Sequence, residues 1–168
     1  MVQKKAFLNI YVSSYPFECG SQNISFAPRA EEIEACTNEN VRRQKLYVWK
    51  LLELAVGDLS GMDLNSLNLR KDENGKWQSD KIYISLSHSG NVVAAAVSDS
   101  SVGLDIEFFN EKKFGKSLAN RIATESEKSF FAKERAFSER VCALWTRKES
   151  EFKRKGEKIF RPFFTGAL

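Results

Sequence analysis

The stretch Ile82-Tyr83-Ile84-Ser85-Leu86-Ser87-His88-Ser89-Gly90 continues as Asn91-Val92-Val93-Ala94-Ala95-Ala96-Val97-Ser98 and, after Asp99-Ser100-Ser101, as Val102-Gly103-Leu104-Asp105-Ile106-Glu107. Residues 82–86 and 92–97 are apolar, β-rich runs on either side of a polar corner, Ser87-His88-Ser89-Gly90, and a third run, 102–107, follows turn residues. The pattern predicts a three-strand meander. In its last strand the period of two places Asp105 and Glu107 on one face with Ile106 between them. Two like charges so placed repel each other unless a cation lies between them.

Upstream, residues 6–12 read as a first strand and 13–28 as a loop rich in Ser, Gly and Pro, followed by a short acidic helix over 29–36. A longer helix follows. Asn38 is its expected N-cap, Val41, Val48, Leu51, Leu52 and Ala55 recur at helical spacing, and Gly57 is the expected stop. Arg42, Arg43 and Lys45 fall in its early turns, where the helix dipole disfavours cations by some tenths of a kcal/mol, a hint of an external anion. A brief helical turn over 63–67 leads to a hairpin, 68–71 and 76–78, turned by Asn74-Gly75.

Downstream of Phe108 the character changes to helix, with segments at 117–123 and 126–135. A last long helix opens at Ser138 as N-cap and stops at Gly156, and 159–164 reads as an edge strand or extended tail. The last long helix carries an apolar stripe of Val141, Leu144, Trp145 and Phe152, with Glu149 on its border. The local partner for Glu149 is Lys153, four residues on, worth ~0.3 to 0.5 kcal/mol on an exposed helix.

The global quantities agree with a folded chain. Its 168 residues suffice for one good core or two small lobes, and 42% hydrophobic content with thirteen Phe argues against disorder. Cys19, Cys36 and Cys142 are odd in number and far apart, which suggests neither a disulfide framework nor a zinc site and fits a reducing cytoplasm. The apolar start after Lys4-Lys5 is broken by Asn9, so no signal peptide is expected, and no run approaches the ~20 residues of a membrane helix. A net charge of +4 favours anionic partners without choosing among them. Nucleic acid is not expected, since no helix-turn-helix, zinc or RNA-recognition signature accompanies the charge. A serine-hydrolase reading of Ser87-His88-Ser89 fails for want of a Gly-x-Ser-x-Gly elbow.

Taken in order, Ser-His-Ser-Gly at 87–90, Gly-Leu-Asp-Ile-Glu at 103–107 and Trp-Thr-Arg-Lys-Glu-Ser-x-x-Lys at 145–153 resemble the three-part signature of the 4'-phosphopantetheinyl transferase superfamily. The resemblance spans residues 38–153, and a lobe ahead of Gly-Leu-Asp-Ile-Glu makes the chain similar to the larger, Sfp-type branch. It implies an α+β fold, a pseudo-dimer of two small antiparallel-sheet-plus-helix lobes with the second shortened at the C-terminus. Residues 1–100 would be the N-terminal lobe with the coenzyme A phosphate contacts, and 101–168 the C-terminal lobe with the metal carboxylates and the Trp-x-x-Lys-Glu helix.

The same resemblance implies transfer of the 4'-phosphopantetheine arm of coenzyme A to a serine of an apo acyl or peptidyl carrier protein in fatty-acid, polyketide or nonribosomal peptide synthesis. It assigns Asp105, Glu107 and Glu149 to Mg²⁺, Glu149 or a metal-bound water to deprotonation of the serine, and Lys153 to the phosphate or the leaving group. Arg43, Lys76, Ser87 and His88 become coenzyme A contacts, with Trp77 standing where the family usually has proline. Trp145 is assigned to packing beneath the site. The alternative is a homologue that binds coenzyme A without transfer or that needs a partner chain, as the short stretch after the last helix suggests.

Overall fold

A computed structural model describes residues 6–16, 23–59, 61–131 and 136–156, with the side chains of Phe130 and Phe131 excepted. The molecule is α+β, with antiparallel sheets and helices. Strand β1 (Leu8–Ser14), helices α1 (Ala27–Glu34) and α2 (Glu39–Gly57), the two-residue strands β2 (Arg70–Lys71) and β3 (Trp77–Gln78), and strands β4 (Tyr83–Ser89) and β5 (Val92–Ser98) come first. Helices α3 (Lys116–Ile122), α4 (Glu125–Phe131) and α5 (Phe137–Lys155) complete the order. The main sheet has the order β1-β5-β4, antiparallel throughout, with Ile84 opposite Val97 and Tyr11 opposite Ala95. β2 and β3 form a separate hairpin around Gly75, at φ 79°.

One face of the main sheet buries Ile84, Val93, Ala95 and Val97 together with Trp49, Leu52, Ala55 and Val56 of α2. α2 begins where the sequence places it, with Asn38 Oδ1 accepting the Val41 N–H at 3.1 Å. A second, smaller core gathers Phe114, Ala119, Ile122, Val141 and Leu144 from the loop before α3, from α3 and from α5. Leu8, Ile10 and Val12 of β1 point to the opposite face of the sheet and are exposed. Among the described residues no helix is long and apolar enough to cross a membrane.

Four local expectations change. β4 continues through Ser89, so the corner shrinks to Gly90-Asn91, with Gly90 at φ 54°. α1 starts at Ala27, two residues early, with a proline in its first turn as the missing proline N–H allows. α5 starts at Phe137, with Ala136 at the cap and Ser138 already inside the helix, while its stop at Gly156, φ 74°, is as expected. The expected helix over 126–135 is α4 as far as Phe131, and its remainder, like the tail at 159–164, lies outside the described residues.

The largest change concerns residues 102–107, which form no strand. Their backbone is tied instead to the side chains of β4. Ser85 Oγ accepts the Leu104 N–H at 2.9 Å, Ser87 Oγ the Ile106 N–H at 3.2 Å and Ser89 Oγ the Phe108 N–H at 3.0 Å. Alternate residues of a strand share a face, so the three hydroxyls form a row and the segment runs over that face, parallel to β4, rather than along its edge.

Glycines make the close approach possible. A Cβ on Gly103 would lie 1.8 Å from the Ser150 carbonyl oxygen and 2.5 Å from the Arg154 nitrogen, so α5 rests directly on this glycine's backbone. Gly103→Ala is therefore expected to destabilise the protein by about 1–3 kcal/mol in urea unfolding, the range for overpacked sites. Gly57→Ala, at the end of α2, where a Cβ would meet nothing within 4 Å, is the control and should lose no more than about 0.5 kcal/mol. Equal stabilities for the two variants would refute this packing.

Candidate active site

The serine row fixes where the carboxylates go. Ser87 Oγ, while accepting from the backbone, donates to Asp105 Oδ1 at 2.9 Å, and Ser89 Oγ donates to Glu107 Oε2 at 3.2 Å. Asp105 and Glu107 thus share the side facing β4, although the segment carrying them is not a strand. From α5, Lys153 Nζ reaches Asp105 Oδ1 at 2.7 Å and Ser87 Oγ at 3.0 Å. Trp145 Nε1 donates to Glu107 Oε1 at 3.0 Å, so the indole that sequence reading assigned to packing also holds a carboxylate. Lys113 Nζ lies on the same Glu107 oxygen at 2.7 Å.

Glu149 is the buried member, 6% exposed on α5. Desolvation first, and the charge of Asp105 second, raise its pKa from 4.5 to about 7, with Glu107 adding to the rise and Lys153 opposing it. Lys153, expected from the helix to pair with Glu149, bonds Asp105 at 2.7 Å. A pair i,i+4 on an exposed helix is weak, whereas the Asp105 side chain is only 7% exposed and leaves a costly charge if unpaired.

Among the described residues no three His, Cys, Asp or Glu side chains are arranged to hold a metal ion as they stand. The donor set nonetheless fits a hard divalent cation. Asp105 Oδ2 is buried without a hydrogen-bond partner, and burial, then the Asp105 charge, make the neighbouring Glu149 carboxyl resist ionising. An all-oxygen set of carboxylates is what Mg²⁺ takes, completed by water and substrate phosphate.

Beside these groups lies a cavity of about 350 Å³, walled by α1, α2, β3, β4 and α5. Its lining includes Arg29, Lys45, Lys76, His88 and Lys153, with the rings of Trp49 and Trp77. Five nitrogenous side chains around one hollow make it suited to an anion. Desolvation, and then the Lys153 ammonium, hold His88 below the usual histidine range against the pull of Asp105 and Glu107, although part of the side chain is open to solvent. Burial lowers the Lys76 pKa, with Asp72 opposing, and its ammonium donates to the Lys153 carbonyl at the end of α5.

Of the sequence-assigned anion contacts, Lys76 and His88 line this cavity, and Ser87 lies behind it, bonded to Asp105 and Lys153. Arg43 lies in a second hollow of about 200 Å³ with Arg42 and Glu39, its guanidinium 5.7 Å from the centre of the Tyr15 ring. Arg29 and Lys45 take part in the main cavity and were not singled out as contacts from sequence. Arg29 donates to Glu32 at 2.7 Å, sits 5.3 Å over the Trp49 ring and keeps its buried Nε without a partner. The available signal for Lys45 was its membership in the basic run of α2; for Arg29 there was none.

Asp105 and Lys153 thus meet beside a cationic cavity, Glu107 is held by Ser89 and Trp145, and Glu149 lies near enough for the Asp105 charge to bear on it. Residues 101–166 match the 4'-phosphopantetheinyl transferase superfamily. The match covers less than half of the chain: the segment over β4, the second core and the helix bearing Trp145, Glu149 and Lys153. The superfamily in general uses coenzyme A and acts on carrier proteins. No curated protein matches the chain.

The raised Glu149 pKa has a signed consequence for stability. The folded protein holds this proton more tightly than the unfolded chain, so the carboxyl costs nothing below pH 4.5 and destabilises increasingly up to about pH 7. Urea unfolding in divalent-free buffer should therefore show Glu149→Gln gaining on wild type across that window and keeping a constant lead above it. A difference independent of pH would contradict the assignment.

Proposed function

We propose that the protein transfers the 4'-phosphopantetheine arm of coenzyme A to a serine hydroxyl of an apo carrier protein, giving the holo carrier and 3',5'-ADP in a Mg²⁺-dependent reaction. The observation that carries this reading is the convergence of Asp105, Glu149 and Lys153 next to the cationic cavity. Asp105, Glu107 and Glu149 are the residues that would hold the Mg²⁺. When bound, the ion would supply charge neutralisation on the pyrophosphate of coenzyme A.

The chain's own residues take the remaining roles. Lys76 and His88, joined by Arg29 and Lys45, line the place proposed for the phosphates, so the substrate's negative charge would be bound before reaction. Arg43, on the second hollow of the same helix, is kept as a proposed contact of the 3'-phosphate on the family resemblance. The serine oxygen attacks the β-phosphorus, forming a new P–O bond as the bond to the bridging oxygen breaks. Both electrons of the broken bond leave with 3',5'-ADP. Glu149, buried on α5 beside Asp105, takes the serine proton. Lys153, already directed at Asp105 and the cavity, stabilises charge on the phosphates and the departing oxygen.

In this proposal the arrangement is that of the Sfp-type branch. Residues 1–100 supply the coenzyme A contacts, and 101–168 supply the carboxylates and the catalytic helix.

The test is the intact mass of an apo acyl carrier protein, and separately of a peptidyl carrier protein, after incubation with the protein, coenzyme A and Mg²⁺. The expected result is a gain of one phosphopantetheine arm on one or both carriers, lost with EDTA and with Glu149→Ala or Asp105→Ala. Full turnover by either variant would remove that residue from the mechanism. Coenzyme A binding without any mass gain would replace the proposal with the reading of a binding homologue. Lys45→Ala should chiefly raise the coenzyme A KM, the signature of lost substrate binding, and an unchanged KM would take Lys45 out of the site.

A further inference from the structure

Glu107 and Asp105 are held in different ways. Asp105 keeps its buried Oδ2 free of hydrogen-bond partners, so a cation taking that oxygen would break no hydrogen bond. Glu107 is the more heavily engaged: Oε2 accepts from Ser89, and Oε1 accepts from both Trp145 and Lys113. A carboxylate oxygen offers about two in-plane acceptor directions, so Oε1 is saturated. Two of the donors are built into the fold, since Ser89 belongs to β4 and the Trp145 indole to α5. Lys113 differs, for its side chain is 45% exposed and reaches Glu107 from a surface turn.

That turn is itself well made. Asn110 Oδ1 accepts the Lys112 and Lys113 N–H groups at 3.0 and 3.2 Å, and Phe114 is fully buried and stacked on Phe109. The Lys113 ammonium lies 5.0 Å from the centre of the Phe114 ring and 6.0 Å from that of Trp145, an aromatic seat beside the carboxylate.

We infer that Lys113 is a positioning residue, a displaceable counter-ion that holds Glu107 in place and is dislodged when a divalent cation enters among Asp105, Glu107 and Glu149. The inference rests on the metal reading proposed above. Lys113 spares the carboxylates part of their mutual repulsion and, by the same contact, competes with the metal for Glu107. An exposed ion pair is the readily broken contact of the three, because water and salt screen it.

The experiment measures Mn²⁺ binding to the full chain by the loss of the free-ion electron paramagnetic resonance signal, at low salt and without coenzyme A. Lys113→Gln should tighten binding by on the order of tenfold, as expected for removing one positive charge next to the ion. Lys113→Arg should stay near wild type, and Lys112→Gln, an equal charge change one position away, should have a smaller effect. Added salt should narrow the gap between Lys113→Gln and wild type. Wild-type binding that Lys113→Gln leaves unchanged, weakens, or alters no more than Lys112→Gln does would overturn this inference alone. Absence of Mn²⁺ binding in wild type and all variants would overturn the metal reading and this inference with it.

Discussion

Three serine hydroxyls, those of Ser85, Ser87 and Ser89, hold the backbone of the segment from Leu104 to Phe108 against the face of β4, and the geometry of the site rests on that attachment. Each such bond is worth about 0.5–1.5 kcal/mol net, and a buried N–H left without one costs about 1–3 kcal/mol. The hydroxyls are therefore worth more as a set than their individual strengths suggest. They also determine direction, because a serine that accepts from the backbone still has its own proton to give. Ser87 gives it to Asp105 and Ser89 to Glu107, so one row of side chains fixes both the path of the chain and the aim of its carboxylates.

Aiming the carboxylates at one place creates a problem of charge. Asp105 and Glu107 lie near the buried Glu149, and burial first, with the Asp105 charge second, raises Glu149 to about 7. Lys153 and Lys113 each take one carboxylate, and the Trp145 N–H adds a neutral donor. These partners come from α5 and from the turn before α3, elements whose seating depends on the second core and on the contact at Gly103. Packing and electrostatics are thus linked through a single glycine: a Cβ there would push α5, and with it Lys153 and Glu149, away from Asp105.

Much of this was legible in the sequence, for identifiable reasons. Asn38 and Gly156 punctuate the two long helices through local chemistry that needs no tertiary context. β4 and β5 announce themselves by apolar runs. The third run, 102–107, misled because alternation reports which residues share a side but not what the backbone N–H groups bond to. The same-side placement of Asp105 and Glu107 was therefore recoverable, and the strand was not. The overlooked signal was Ser85, Ser87 and Ser89, three small hydroxyls at alternate positions. Ser138 failed as a cap because α5 begins one residue before it. Arg29, Lys45 and Lys113 come from three separate elements, and only tertiary packing reveals that the first two share a cavity and the third meets Glu107.

In the proposed function a divalent cation binds among Asp105, Glu107 and Glu149, next to coenzyme A in the cationic cavity. Anomalous diffraction from crystals grown with Mn²⁺ and coenzyme A would locate that cation. The expected result is an anomalous peak at ligand distance from Asp105 Oδ2, with the pyrophosphate on its open side and Lys113 moved off Glu107. A peak elsewhere, or coenzyme A bound with all three carboxylates free of metal, would contradict it.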